Sequence, residues 1–138
     1  VTITIEASDP QVQISGLDDF TLGSFSGSGD VTANDSFCVY ADDAGYRITV
    51  SGSNQDQAGD YYLGDAGNLL PIALAYAANG GGATTLTGQT VTGLTDSSVI
   101  NCNGITNATL TLTIDEQDLR GASSGTYTET LILLVEPE

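Results

Sequence analysis

Apolar side chains recur at every second position along most of this chain, the pattern that half-buried β-strands require. Thr, Val, Ile, Tyr and Leu supply most of it, residues that suit a pleated, partly buried surface. Val1, Ile3 and Ile5 alternate with Thr2, Thr4 and Glu6 until Asp9-Pro10 breaks the run, because proline cannot donate to a strand ladder. The result is a short N-terminal strand, detached from the body of the chain. Val12 and Ile14 resume the alternation, Gly16 and Asp18-Asp19 interrupt it, and Phe20, Leu22 and Phe25 come next around Gly23. These residues predict a bent first body strand that ends in a Ser/Gly turn from Ser26 to Gly29.

Val31 to Tyr40 and Tyr46 to Val50 read as strands joined by Ala41-Asp42-Asp43-Ala44-Gly45, a composition that predicts a hairpin connection. The segment Tyr61 to Ala77 places Leu70, Ile72, Leu74 and Tyr76 on one face and stops at Gly80-Gly81-Gly82. Leu110, Leu112 and Ile114 alternate with Thr109, Thr111 and Thr113, the cleanest half-buried strand of the chain. In the last strand Tyr127, Leu131, Leu133 and Val135 share a face, while Ile132 and Leu134 on the other side suggest cover on both. Ser51 to Asp60, Asn79 to Thr85, Thr92 to Asn101 and Asp115 to Ser124 read as polar loops, the last with room for one helical turn before Gly121. About seven strands at this spacing, with no internal repeat and no linker, predict one all-β sandwich.

Composition narrows the chemistry. The 138 residues fit one domain. Two Arg and no Lys stand against 18 acidic residues, for a net charge of −16, so nucleic acid and anionic membrane surfaces would repel the chain. Histidine is absent, which removes the commonest general base and metal ligand, and the many Ser and Thr hydroxyls have no base to activate them. Asp18-Asp19, Asp42-Asp43 and the Asp56 to Asp60 stretch lack calcium-loop spacing and read as solvated loop charge. No enzyme activity, metal or cofactor is expected. Asn34-Asp35-Ser36 and Asn107-Ala108-Thr109 match the N-glycosylation pattern but read as structural.

A chain that begins at Val1 and contains no Met is expected to have lost a leader on export, and no stretch approaches 18 consecutive apolar residues. Cys38 and Cys102 are an even count in an exported chain, which predicts a disulfide; two free buried thiols are the alternative.

Four segments carry a resemblance. Gly125-Thr126-Tyr127-Thr128-Glu129-Thr130-Leu131-Ile132-Leu133-Leu134-Val135-Glu136-Pro137 resembles the closing strand of the spore coat protein U family, which includes the pilins of archaic, Csu-type chaperone-usher pili. Phe37-Cys38-Val39 followed by Tyr46-Arg47-Ile48-Thr49-Val50-Ser51-Gly52 is similar to the family's Cys-bearing strand and the strand after it. Leu70-Pro71-Ile72-Ala73-Leu74-Ala75-Tyr76 is similar to its mid-chain region. Glu129 stands where the family has Asp, and Ile132 and Leu134 stand where it has polar outward residues.

The resemblance implies an immunoglobulin-like sandwich of about seven strands that lacks its last strand and is completed by donor-strand exchange. Residues 1–10 would then form the donor extension and residues 11–138 the pilin domain. Val1, Ile3 and Ile5 would enter the groove of a neighbouring identical subunit, a groove flanked by Leu131, Leu133 and Val135 and by Val12, Ile14, Phe20 and Leu22. A periplasmic chaperone would fill the groove beforehand, an outer-membrane usher would assemble the filament, and the product would be a cell-surface pilus serving adhesion and biofilm formation. The alternative is a self-complete exported β-sandwich that binds a carbohydrate or surface ligand.

The residues bear on that mechanism independently. An incomplete sandwich exposes a strand edge and core side chains, a hazard unless a partner supplies the strand. Burying Val1, Ile3 and Ile5 contributes about 1.5–3 kcal/mol each, and ordering six backbone residues costs about 1–2 kcal/mol apiece. The two nearly cancel, so a durable contact would draw on ladder hydrogen bonds and on completion of the acceptor's core. With no Lys amine an isopeptide link has no donor, and assembly would be noncovalent.

Overall fold

The computed structural model describes residues 2–7, 12–20, 22–41, 45–78, 82–95, 102 and 104–137, with side chains except at 2–7, 12, 95 and 137. In chain order the elements are β1 (Thr2–Ala7), β2 (Val12–Ser15), β3 (Val31–Ala41), β4 (Gly45–Gly52), β5 (Tyr61–Asp65), β6 (Asn68–Ala78), β7 (Thr84–Thr85), β8 (Val91–Thr95), β9 (Ala108–Ile114), α1 (Glu116–Gly121) and β10 (Thr130–Pro137). The strands form two sheets, β1-β10-β4-β8 and β2-β3-β9-β6-β5, with β7 added to β6. All pairings are antiparallel except β1 with β10, which is parallel.

Each sheet turns one face inward, as period-two patterning demands. From the smaller sheet come Tyr46, Ile48, Val50, Leu131, Leu133 and Val135, and from the larger Phe37, Val39, Leu74, Tyr76, Leu110 and Leu112, all buried in one cluster. β9 follows its sequence pattern residue for residue, with Leu110, Leu112 and Ile114 buried and the intervening threonines half-buried on the other side.

Several expectations need correction. The 41–45 connection is not a hairpin: β3 pairs with β2 and β9, and β4 with β10 and β8, so the chain crosses from one sheet to the other. Both strands bury their alternate residues, and facing each other across the core does this as well as pairing edge to edge would. Asp42 and Asp43 lie outside the described residues, as do Asp9, Pro10, Gly80 and Gly81. The Tyr61 to Ala77 segment is two strands, not one. Ala66 and Gly67 have φ of 49° and 92°, and β5 and β6 pair on either side of them from Asp65↔Asn68 outward, a two-residue turn of the kind whose twist matches that of paired strands.

The bent strand expected around Phe20 is also absent. Regular pairing ends at Ser15, and the described residues from 17 to 30 are irregular, although Phe20 is still buried. Two regions read as loops contain the short strands β7 and β8. Ile132 and Leu134 are half-buried rather than covered.

The helical turn after β9 forms as α1. Asp115 caps it, accepting from the Gln117 N–H at 2.8 Å, which satisfies one of the orphan donors of a helix start. Glu116 ties it to the start of β3: its N–H donates to Asp30 at 2.9 Å and its carboxylate accepts from the Gly29 N–H at 2.8 Å. Arg120 pairs with Glu116 one turn back at 3.2 Å.

Cys38 and Cys102 form a disulfide across 64 positions of sequence, with Cα atoms 5.9 Å apart. Asn107, just before β9, continues the ladder beside it. Its N–H donates to the Phe37 carbonyl at 3.0 Å, its side-chain Nδ2 donates to the Val39 carbonyl at 2.9 Å, and its Oδ1 accepts from the Val39 N–H at 2.8 Å. The side chain thus copies a strand backbone, a structural use of the second glycosylation-like Asn.

Candidate assembly interface

β10 has neighbours on both sides. β4 runs antiparallel along one edge, from Leu131↔Gly52 to Pro137↔Tyr46. β1 runs parallel along the other, with Ile3 in register with Leu131, Ile5 with Leu133 and Ala7 with Val135. β1 is the last strand of its sheet, bonded to β10 and to no other strand among the described residues. Leu131, Leu133 and Val135 are fully buried.

The groove residues expected from sequence divide. Ile14 is in register with Val39 on β3, half-buried against the core, and β2 passes close to both β1 and β10. Phe20 is buried in the same core. Leu22 is half-buried against the same core, and with Phe25, Val31, Leu70, Ile114 and Tyr127 it lines a cavity of about 450 Å³. Val1 lies outside the described residues, and Ile3, Ile5 and Val12 are described at backbone level.

Glu129 is the residue that sequence reasoning missed. It stands one position before β10, is 3% exposed, and is ringed by donors. Ser53 Oγ–H donates to Oε1, and so does the Thr130 N–H at 2.8 Å. The Asn54 N–H donates to Oε2 at 2.9 Å, and Asn54 Nδ2 to Oε1 at 3.2 Å. Gly52 makes room for the carboxylate, since a Cβ there would stand 2.6 Å from Oε2. A buried charge needs this many donors to offset lost hydration. The signal was in the alternation: Glu129 has the parity of Leu131, Leu133 and Val135, and therefore points inward.

On the outer side of β10, Glu136 pairs with Arg47 of β4 at 3.3 Å, while Ile132 and Leu134 are half-buried. Asp35 of β3 accepts from the Asp18 N–H at 2.9 Å, and in the loop before β5 Asp56 accepts from the Asp60 N–H at 2.9 Å and the Tyr62 hydroxyl at 3.1 Å. Among the described residues no three His, Cys, Asp or Glu gather as a metal site would need, and no helix is long and apolar enough to cross a membrane. At β10 the arrangement offers backbone ladders and apolar burial.

No protein-family model matches the sequence, and no curated protein does. In fold the chain is similar to a solved chaperone–tip adhesin complex of CFA/I fimbriae, with a TM-score of 0.69 and 21% identity over 93% of this chain and 42% of that one. It is also similar to a mutant of CfaE, the CFA/I adhesin of enterotoxigenic E. coli, with a TM-score of 0.54 and 16% identity over 93% of this chain and 49% of that one. The chain thus spans less than half the length of either, and what it shares with them is an all-β fimbrial-subunit fold.

Proposed function

We propose that this chain is a structural subunit of a noncovalent surface pilus, with residues 1–10 as an exchangeable donor extension and residues 11–138 as the pilin domain. Val1, Ile3 and Ile5 of one copy fill the groove beside Leu131, Leu133 and Val135 of the next, with Val12, Ile14, Phe20 and Leu22 along its other side. The observation that carries the reading is that β1 is an edge strand with one partner, held to β10 over six positions in register. An edge strand from an identical copy can form an equivalent ladder, which is the low-cost route by which identical elements are exchanged between protomers.

Until that exchange occurs, a chain whose β1 has left presents the β10 edge and core to solvent, an aggregation hazard. A periplasmic chaperone that supplies a strand, followed by an outer-membrane usher, answers this need, and the likeness to a structure solved with a chaperone supports the same reading. Export to the cell surface and service in adhesion and biofilm formation complete it.

The test compares the intact chain with one lacking Val1 to Ser8, by size-exclusion chromatography and electron microscopy. The expected result is heat-resistant polymer from the intact chain, and a truncated chain that stays monomeric yet captures an added Val1 to Ser8 peptide. Stable monomers of both forms that ignore the peptide would overturn the reading. They would favour the second one, a self-complete exported module for a carbohydrate or surface ligand, which draws its support from β1 lying on its own β10 and from the cavity of about 450 Å³.

A further inference from the structure

Among the described residues two large apolar side chains are exposed, Leu69 at 54% and Ile105 at 71%. Ile105 belongs to a tight turn: its N–H closes on the Cys102 carbonyl at 3.1 Å, and Gly104 has the φ of 80° that the third position of such a turn calls for. Both flanks are fixed, Cys102 by its disulfide to Cys38 and Asn107 by its hydrogen bonds to Phe37 and Val39 of β3. An isoleucine presented on so constrained a backbone has little freedom left to lose on docking.

The cavity of about 450 Å³ lies at the far end of the same ladder. Val31 and Ile114, which line it, are in register where β3 and β9 begin and end; Phe37 and Ala108 are in register at the other end, next to the Ile105 turn. β9 runs between the two ends, about 20 Å at the rise of a strand, so Ile105 cannot reach the cavity of its own chain. Leu22, Phe25, Leu63, Leu70, Leu119 and Tyr127 supply the apolar wall, and no charged residue lines it. Ser24, Ser123 and Ser124 on its lining are exposed, so it opens to solvent. An apolar cavity of about 150 Å³ accepts a benzene-sized group, and this larger one admits the smaller isoleucine side chain with part of its turn.

Charge selects the approach. The cavity end carries Asp65, against Gly125 of the lining, and Asp115, Glu116 and Asp118 around Leu119. Two cavity ends brought together would repel, which disfavours Leu69, the neighbour of Leu70 in the wall, as the group that enters. The chain from 97 to 114 has no charged residue, so the Ile105 turn approaches without setting its own carboxylates against those of the cavity end.

We propose that Ile105 of one copy inserts into the cavity walled by Leu22, Phe25 and Tyr127 of a second copy of this chain. Knob and socket lie at opposite ends of each copy, so the contact is heterologous and repeats head to tail instead of pairing two equivalent surfaces. One side chain and its turn bury far less than the about 800 Å² per partner of a stable complex. The contact is therefore weak between free chains and gains strength where copies are already aligned in a row. It uses neither β1 nor the β10 edge, and stands whether or not β1 is exchanged.

The direct test is photo-cross-linking from a diazirine amino acid placed at position 105 of the intact chain, with the linked peptides mapped by mass spectrometry. Links between copies to residues 22–25 and 119–127 are expected. Links confined to other segments, or no links in a concentrated sample, would overturn the proposal. So would a small ligand such as a free sugar found in the cavity with no links between copies, which would return the cavity to the ligand-binding reading.

Sedimentation velocity on the monomer fraction tests the polarity of the contact. Ile105→Ser removes the knob and Ser124→Trp plugs the socket; both positions are exposed, and circular dichroism with thermal melting establishes that each variant is folded. Each variant alone should associate about tenfold or more weakly than wild type. An equimolar mixture should give a heterodimer that grows no further, the intact knob of one variant seated in the intact socket of the other. Variants that associate like wild type, or a mixture no better than its components, would count against the contact. The knob contact reverses on dilution, whereas donor-strand polymer survives dilution and heat, so failure of one reading leaves the signature of the other visible.

Discussion

The hydroxyl of Tyr46 on β4 lies 2.6 Å from that of Tyr76 on β6, so the two sheets are joined through their shared core by a hydrogen bond between phenols. Both residues are at most 1% exposed, and the Phe37 ring packs tilted against Tyr76 with centroids 6.1 Å apart. Tyrosine brings a large apolar body into the core at the cost of a polar tip, and each tip here meets the other.

Tyr46→Phe or Tyr76→Phe alone should cost about 1–3 kcal/mol, because the surviving hydroxyl loses its partner in a dry core. The double variant should cost less than the sum, with a coupling of at least about 0.5 kcal/mol. Urea unfolding of the four proteins measures the cycle, and additive losses would mean that the pair does not act as a unit.

Alkali tests the same pair. Burial, and then the neighbouring Tyr46, push the Tyr76 hydroxyl far above the ordinary tyrosine value, and burial also raises Tyr61. The folded chain keeps a proton at Tyr76 that the unfolded chain releases near pH ~10. Stability is therefore fully present below that pH and falls above it by about 1.4 kcal/mol per pH unit for this group. Denaturation followed together with tyrosine absorbance should show Tyr76 ionising only as the chain unfolds.

Glu129 anchors the start of β10, and Glu129→Ala should cost about 2–4 kcal/mol by orphaning donors on Ser53, Asn54 and Thr130. Glu129→Gln should cost less, since one acceptor oxygen remains. A loss under about 0.5 kcal/mol for alanine, read from the denaturation midpoint, would remove the anchor role.

The disulfide closes a loop spanning 64 positions, which on the chain-entropy estimate is worth about 4 kcal/mol. Cys38→Ala with Cys102→Ala should lower stability by about that amount in urea, and added reductant should bring the wild type to the same midpoint.

Asn107→Ala removes both side-chain bonds to Val39 and should cost about 1–3 kcal/mol. Asn107→Asp should do no better, because it gives up the donor and sets a charge beside the Val39 carbonyl. Hydrogen exchange at the Val39 amide reads the effect directly, and unchanged protection would count against the ladder role.

Local alternation carried the strands. Leu110, Leu112 and Ile114 set against three threonines specify a two-sided strand by themselves, and β9, β4 and β10 bury the residues that this pattern selects. The same pattern in its odd positions wrote out the threonine column of the outer face. The sequence left room for one helical turn before Gly121, and α1 forms there as Glu116–Gly121.

Pairing was beyond it. Alternation says which residues face inward and nothing of which strand lies alongside, so the 41–45 connection reads equally as a hairpin or as a crossing between sheets, and only contacts with β9 and β10, far along the chain, decide. The Ala66-Gly67 turn was hidden because alanine rarely takes a positive φ, and the β5–β6 ladder holds it there. Glu129 had the parity of a core residue, but its burial required donors from Ser53 and Asn54, about 75 positions earlier. The sequence by itself determined composition, charge and the inward face of the long alternating strands, which depend on neighbouring residues. Sheet order, the parallel seat of β1 on β10 and the partners of buried polar groups depend on residues that meet only when the chain is folded, and those the tertiary structure decided.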